Sequence, residues 1–245
     1  MNSRMPYFSF SRTAVYLAAA VIPAVILMIY IYRKDRHEKE PAQLLMKCIL
    51  GGCLSALLAS LLETGGDYLL KLYYSSHAIT AAGYAVVTAM MVGLMEEGSK
   101  FLFLKRYTWN SPEFNYRFDG MVYAIFVSLG FAALENIFYI FTYQDLSIAW
   151  SRAILTIPAH MSFAVYMGVY YGRARMAEVT GRASASVLLQ WTGYLAAVLL
   201  HAVYDGALMI GSDASLIFFY VFVILLDLFV LHTVRNEART DRPIY

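Results

Sequence analysis

Apolar runs long enough to cross a bilayer recur along the chain, separated by short polar segments. Seven can be marked, at about 13–32, 43–62, 79–104, 119–142, 149–171, 187–210 and 215–234. Some 20 apolar residues in a helix span the hydrocarbon core, so the pattern predicts an all-α, polytopic transmembrane helix bundle. No connecting segment is long enough to fold alone, and residues 1–245 read as a single integral-membrane domain. The first run, with the loop that closes residues 1–42, reads as a retained anchor span, because it is long and no A-x-A site follows it. Composition agrees: 60% of residues are hydrophobic and 15% charged, against about 25% charged in a soluble domain.

Charge orients the bundle. Segments 33–42, 105–118, 172–186 and the tail after Val234 carry thirteen Lys and Arg, whereas the alternate segments carry three, Arg4, Arg12 and Lys71. Basic loops stay in the cytoplasm, which predicts an outer N-terminus and a cytoplasmic C-terminus. Tyrosine pairs near span ends, such as Tyr73–Tyr74 and Tyr170–Tyr171, suit interfacial anchoring to lipid. Gly51, Gly52, Ser55, Ala56 and Ala59 form a small-residue stripe suited to close helix packing. Cys48 and Cys53 share that span, five residues apart, and are expected to be unpaired packing residues.

Ionisable residues interrupt the spans. The third holds Glu96, Glu97 and Lys100, the fourth Glu135 beside Asn136, the fifth His160, and the sixth His201 and Asp205. A charge at the bilayer centre costs about 2.5–3.5 kcal/mol on insertion scales, so these groups are expected to face one another or a wet cavity. Helical rise puts Glu96, Glu135, His160 and His201 roughly 12–25 Å from the cytoplasmic ends of their spans. Glu96 and Glu97 pair with Lys100 at i,i+4 and i,i+3. They also point about 100° apart, so one can face a site while the other anchors the lysine. His201 and Asp205, like Phe131 and Glu135, are i,i+4 pairs. Lys47 lies near a span end and can snorkel, Asp119 is expected to cap the fourth span, and Asp227 has no evident role.

Carboxylates, imidazoles and hydrogen-bond donors at one depth suit water activation, with a carboxylate as general base and an imidazole steadying a developing oxyanion. Signatures of other hydrolases are missing: there is no H-E-x-x-H pair, no G-x-S-x-G elbow and no pair of membrane aspartates in a G-x-G-D context. Three rival readings use the same residues. Glu96, Glu135, His160 and His201 can supply ligands to zinc. Acid and histidine chains also serve proton-coupled transporters, although no inverted repeat is visible. A non-enzymatic scaffold would need the cluster only for helix packing.

E-E-x-x-K (Glu96, Glu97, Lys100), D-G (Asp119, Gly120), F-x-x-x-E-N (Phe131, Glu135, Asn136), an isolated histidine (His160) and H-x-x-x-D (His201, Asp205) together resemble the PrsW family of bacterial membrane proteases. That family is related to the type II CAAX prenyl endopeptidases. The likeness runs from about residue 90 to 206, inside a protease-like core of about 79–210. It implies a multi-pass protein of the bacterial plasma membrane, a glutamate-type intramembrane protease with no cofactor. Glu96 would be the base, Glu135 would take the place of a water-holding histidine of the prenyl endopeptidases, and His201 with Asp205 would form the oxyanion group. His160 would match a further family histidine, Glu97 would stand with these among the catalytic residues, and Lys100, Asn136, Phe131 and Asp119 would support the site. The implied partner is a single-span membrane protein, an anti-sigma factor cut at site 1, with no nucleic acid.

Overall fold

The computed structural model describes residues 10–245, with side chains from Ala14. Arg4 and the side chain of Arg12, which entered the charge argument, lie outside the described residues. The elements are α1 (Phe10–Lys34), α2 (Ala42–Tyr74), α3 (Ala81–Thr108), α4 (Asp119–Tyr143), a short α5 (Leu146–Ser151) running through a π-helical turn (Arg152–Thr156) into α6 (Ile157–Val179), then α7 (Ala183–Ile210) and α8 (Asp213–Arg239). Outside the helices, Tyr116 and Pro243 form an isolated antiparallel bridge.

Six of the helical runs are long and apolar enough to cross a membrane. The remaining long helix, α3, carries Glu96, Glu97 and Lys100 mid-way and buries all three. It is accommodated among α2, α4 and α7, so the seven expected spans correspond to seven long helical runs, six of which meet that criterion among the described residues. Several run further than their apolar stretches suggested. The segment 63–78, expected as a loop, is mostly the last three turns of α2. The fifth span is compound: Pro158 lacks the N–H that would bond the carbonyl four residues back, and the turn before it widens into the π-helix. Such turns often occur at functional sites.

Helix ends are fixed locally. The Thr80 hydroxyl accepts the Gly83 N–H at 3.0 Å to start α3. The Asp145 carboxylate accepts the Ser147 N–H at 2.8 Å to start α5, and the Ser212 hydroxyl accepts the Ser215 N–H at 3.2 Å to start α8. Gln144 and Gly211 close α4 and α7 in the left-handed region, with φ of 52° and 65°; this is the usual helix stop.

The core is built around α4, whose first half is buried nearly all round. Its approach to α2 depends on two glycines. A Cβ at Gly52 would run into the Val127 carbonyl, and one at Gly130 into the Ile49 carbonyl. Small residues allow such backbone contact, and the Cys53 thiol uses it to reach the Gly130 carbonyl at 3.5 Å. Cys48 and Cys53 are both free, as expected.

The four basic segments gather at one end. Asn115 donates to Glu38 at 2.8 Å. Arg117 and Arg173 both pair with Glu237, at 2.8 and 2.7 Å. The Arg117 N–H donates to the Arg242 carbonyl, and the Ile244 N–H to the Asn115 carbonyl. The tail is thereby stitched to the α3–α4 connection.

Candidate active site

Lys100 stands at the centre of the polar cluster, 2% exposed. Its ammonium donates to Glu97 Oε1 at 2.7 Å, Glu96 Oε2 at 3.1 Å and His160 Nδ1 at 3.1 Å, and lies 3.9 Å from the centre of the Phe131 ring. Thus α3, α4 and α6 meet at one cation. An ammonium only donates, so His160 Nδ1 accepts, and the ring hydrogen sits on Nε2. From there it donates to Glu135 Oε2 at 3.1 Å. Ser128 on α4 fixes the same turn of α6 by donating to the His160 carbonyl at 2.9 Å.

The α7 residues complete the arrangement. His201 Nδ1 is 2.9 Å from Glu97 Oε1. His201 Nε2 is 3.4 Å from Asp205 Oδ2 and 3.9 Å from Glu96 Oε2. A carboxylate therefore faces each ring nitrogen, and both are placed to donate. The ring stacks on Phe163, with centroids 4.9 Å apart. Glu97 thus serves Lys100 and His201 through one oxygen, and its Oε2 is buried without a hydrogen-bond partner. Both glutamates touch Lys100, where the spacing allowed for one of them to be turned away from it.

A cavity of about 400 Å³ opens beside this cluster. Glu96, Glu135, His160, His201 and Asp205 line it, whereas Glu97 and Lys100 sit behind its wall. The structure therefore brings Glu96, Glu97, Lys100, Phe131, Glu135, His160, His201 and Asp205 to one place. Measured along the helices, Glu96, Glu135, His160 and His201 lie roughly 18–28 Å from the basic end, deeper than the sequence suggested, because α3, α6 and α7 extend beyond their apolar runs. Asn136 abuts the site by accepting from Arg152 Nε at 2.6 Å. Asp119 does not join it. It is the first residue of α4, at the basic end, and Phe118 holds the cap position. The Asp119 carboxylate instead accepts the N–H groups of the preceding Asn115 and Tyr116, at 3.0 and 2.6 Å.

Two cavity residues were missed in the sequence. Arg152, on the π-helical turn, pairs with Glu135 Oε2 at 2.7 Å and lies 3.8 Å over the Tyr139 ring. Glu63, on α2, lines the cavity with Oε1 buried and unpartnered. Its signal was its register: it lies four residues beyond Ala59 and seven beyond Ala56, on the small-residue face. Asp227, which had no assignment, accepts from Ser162 at 3.0 Å.

Glu96, Glu97, His160 and His201 each offer a donor atom, all within 4.8 Å of one another. Two imidazole nitrogens with two carboxylate oxygens suit zinc. The set contains Glu97 where the sequence suggested Glu135, because Glu135 is turned towards Arg152. Lys100 lies within 3.1 Å of three of the four donors, so a metal there would have to displace that ammonium.

Comparison with known proteins gives a consistent result. The profile of the family described as "PrsW family intramembrane metalloprotease" matches residues 40–231. "Protease PrsW" of Clostridioides difficile (strain 630) is 34% identical over 210 residues, covering 84% of each chain. That of Geobacillus kaustophilus (strain HTA426) is 30% identical over 231 residues, covering 93% of this chain and 94% of the relative. That of Bacillus subtilis (strain 168) is 28% identical over 199 residues, covering 80% and 84%. No solved structure matches the chain.

Proposed function

The chain belongs to the PrsW family of intramembrane proteases, and from that premise we propose that it cuts a single-span membrane protein by water activated at Glu96. The observation that carries this reading is the position of Glu96. It is the glutamate of the pair that lines the cavity, with Lys100 on one of its oxygens and His201 Nε2 close by. Glu96 takes a proton from a water held in the cavity as the oxygen attacks the scissile carbonyl. The carbonyl oxygen becomes an oxyanion, and His201 Nε2–H donates to it. Glu97 holds that ring through Nδ1, and Nε2–H, which faces Asp205 at 3.4 Å in the resting site, turns to the oxyanion as it forms. Collapse of the tetrahedral intermediate breaks the C–N bond, and Glu96 returns its proton to the leaving amine. Glu135, fixed by His160 and Arg152, is a second anchor for the water.

The substrate is an anti-sigma factor or similar single-span regulator, cut near the outer face. The cavity lies towards the end opposite the basic loops, which fits that cut if those loops face the cytoplasm. Co-expression with single-span membrane proteins of the same organism tests the reading: native protein should yield one stable product and Glu96→Gln none. Unchanged cleavage by Glu96→Gln would refute the assignment of the base.

The converging donor set supports a second reading, in which Glu96, Glu97, His160 and His201 hold a metal ion. Such an ion would polarise the water or the carbonyl. Loss of cleavage on chelation, with recovery on adding Zn²⁺, would select this reading, and activity that survives exhaustive chelation would select the first.

A further inference from the structure

A second group of acids lies at the opposite end of the molecule. Asp35, just after α1, Glu40, just before α2, and Asp119, opening α4, each offer a carboxylate oxygen, and these oxygens lie within 4.8 Å of one another. All three residues are buried, with exposures of 2%, 4% and 1%. Three buried carboxyls at such spacing repel one another and lack water. Positive charge is scarce among them: the ammonium of Lys39 is spent on the carbonyl oxygens of Tyr32 and Asp35.

Two of the acids are partly satisfied. Asp119 accepts the Asn115 and Tyr116 N–H groups, and Glu40 accepts the Tyr123 hydroxyl. Asp35 is the exception. Its Oδ2 is buried with no hydrogen-bond partner, and its carboxylate is directed at the other two. Three oxygens no more than 4.8 Å apart fit a sphere of radius about 2.8 Å, slightly beyond the Ca–O range; a modest contraction brings them into it, and a larger one reaches the Mg–O distance. An all-oxygen, carboxylate-rich donor set selects hard divalent cations over zinc or copper.

We propose that Asp35, Glu40 and Asp119 form a binding site for a hard divalent cation, Mg²⁺ or Ca²⁺, that fastens the α1–α2 connection to the start of α4. The site is separate from the cavity and does not depend on the protease reading. Its role is structural, because α4 carries Phe131 and Glu135 into the cavity and the bound ion fixes its opposite end. Waters complete the coordination shell.

The test uses the full chain in detergent, stripped with a chelator and then titrated with Mg²⁺ or Ca²⁺. Melting temperature and calorimetric stoichiometry are read for the native protein and for Asp35→Asn, Glu40→Gln and His201→Ala. At 100 times Kd, one of the ions should raise the native Tm by about 5–10 °C. His201→Ala, which cripples the donor set at the cavity, should show the same rise, and Asp35→Asn and Glu40→Gln should lose most of it. If Asp35→Asn does not fold, Glu40→Gln and the stoichiometry of His201→Ala decide. Failure of the native protein to bind either ion overturns the proposal. So does binding that His201→Ala abolishes and the two acid variants keep, because the ion would then occupy the other cluster.

Discussion

Exchanging either glutamate of the adjacent pair for glutamine separates their roles. Both carboxylates touch the same buried ammonium, Glu97 at 2.7 Å and Glu96 at 3.1 Å. At an effective dielectric of about 20, either contact is a gross attraction of roughly 5–6 kcal/mol, so Lys100 alone barely distinguishes them. His201 does. Its Nδ1 is 2.9 Å from Glu97 Oε1, whereas its Nε2 is 3.9 Å from Glu96. A hydrogen bond to a charged group contributes about 1.5–3 kcal/mol, and Glu97→Gln weakens that bond as well as the ion pair. Removing one partner of a buried pair costs about 3–5 kcal/mol. For a chain of this size 1 kcal/mol is worth about 2–4 °C, so Glu97→Gln should melt roughly 6–20 °C below the native protein and roughly 3–12 °C below Glu96→Gln. Lys100→Met combined with Glu97→Gln should recover part of that loss, because the uncompensated charge is gone. Activity should follow the opposite order. Glu96→Gln should lose about 10²–10⁴ in cleavage rate, the worth of a general base, while still folding. Tm in detergent and product formation in membranes are measured for all four proteins. The reasoning fails if Glu97→Gln is as stable as Glu96→Gln, or if Glu96→Gln still cleaves at the native rate.

Other consequences can be checked separately. Arg152→Gln should lower cleavage more than tenfold by freeing Glu135, and Arg152→Lys should retain part of the rate because charge survives without the second bond to Asn136; initial rates on one substrate decide. Gly130→Ala should greatly reduce folded protein in the membrane, because its Cβ would meet the Ile49 carbonyl, whereas Gly65→Ala, where a Cβ meets nothing, should accumulate normally; immunoblotting of membrane fractions compares them. With Cys48 and Cys53 replaced by alanine, a cysteine at Ser76 should react with an impermeant reagent on intact cells and one at Ser184 only after lysis; the reverse pattern would invert the orientation.

The helices and most of the cluster were legible for one physical reason: an ionisable group in an apolar run is costly, so each one marks an inward-facing position. Glu96, Glu135, His160 and His201 could be grouped on that ground before any contact was known. The misses have equally local causes. Glu63 lay beyond an apolar run that ended at residue 62, and helix α2 continues without regard to that boundary. Arg152 went unweighed because the widened turn that aims it at Glu135 comes from the backbone ahead of Pro158, and no side-chain pattern announces such a turn. Asp119 was grouped with the site through motif order, which carries no information about depth; its place at the start of α4 puts it at the far end of the molecule.

Packing and chemistry are not competing accounts of this cluster. Lys100 joins α3, α4 and α6 in one set of contacts, and Glu97 extends the set to α7 through His201, so the charges that α3 brings into the membrane are also what hold its neighbours around it. A helix with two acids and a lysine at mid-depth is a poor span alone and a good one beside His160, Phe131 and His201. Packing by itself would end there, with every group paired and no empty space. Instead a cavity of about 400 Å³ adjoins the cluster, and four carboxyl groups, those of Glu63, Glu96, Glu135 and Asp205, face it with one guanidinium, that of Arg152. A bundle stabilised only by its polar contacts has no use for an acid-lined hollow, because each such group costs desolvation that a methyl would avoid. The proposed water activation does have a use for it: the hollow would admit substrate and water, and the buried side of the cluster would keep Glu96 and His201 in register when they enter.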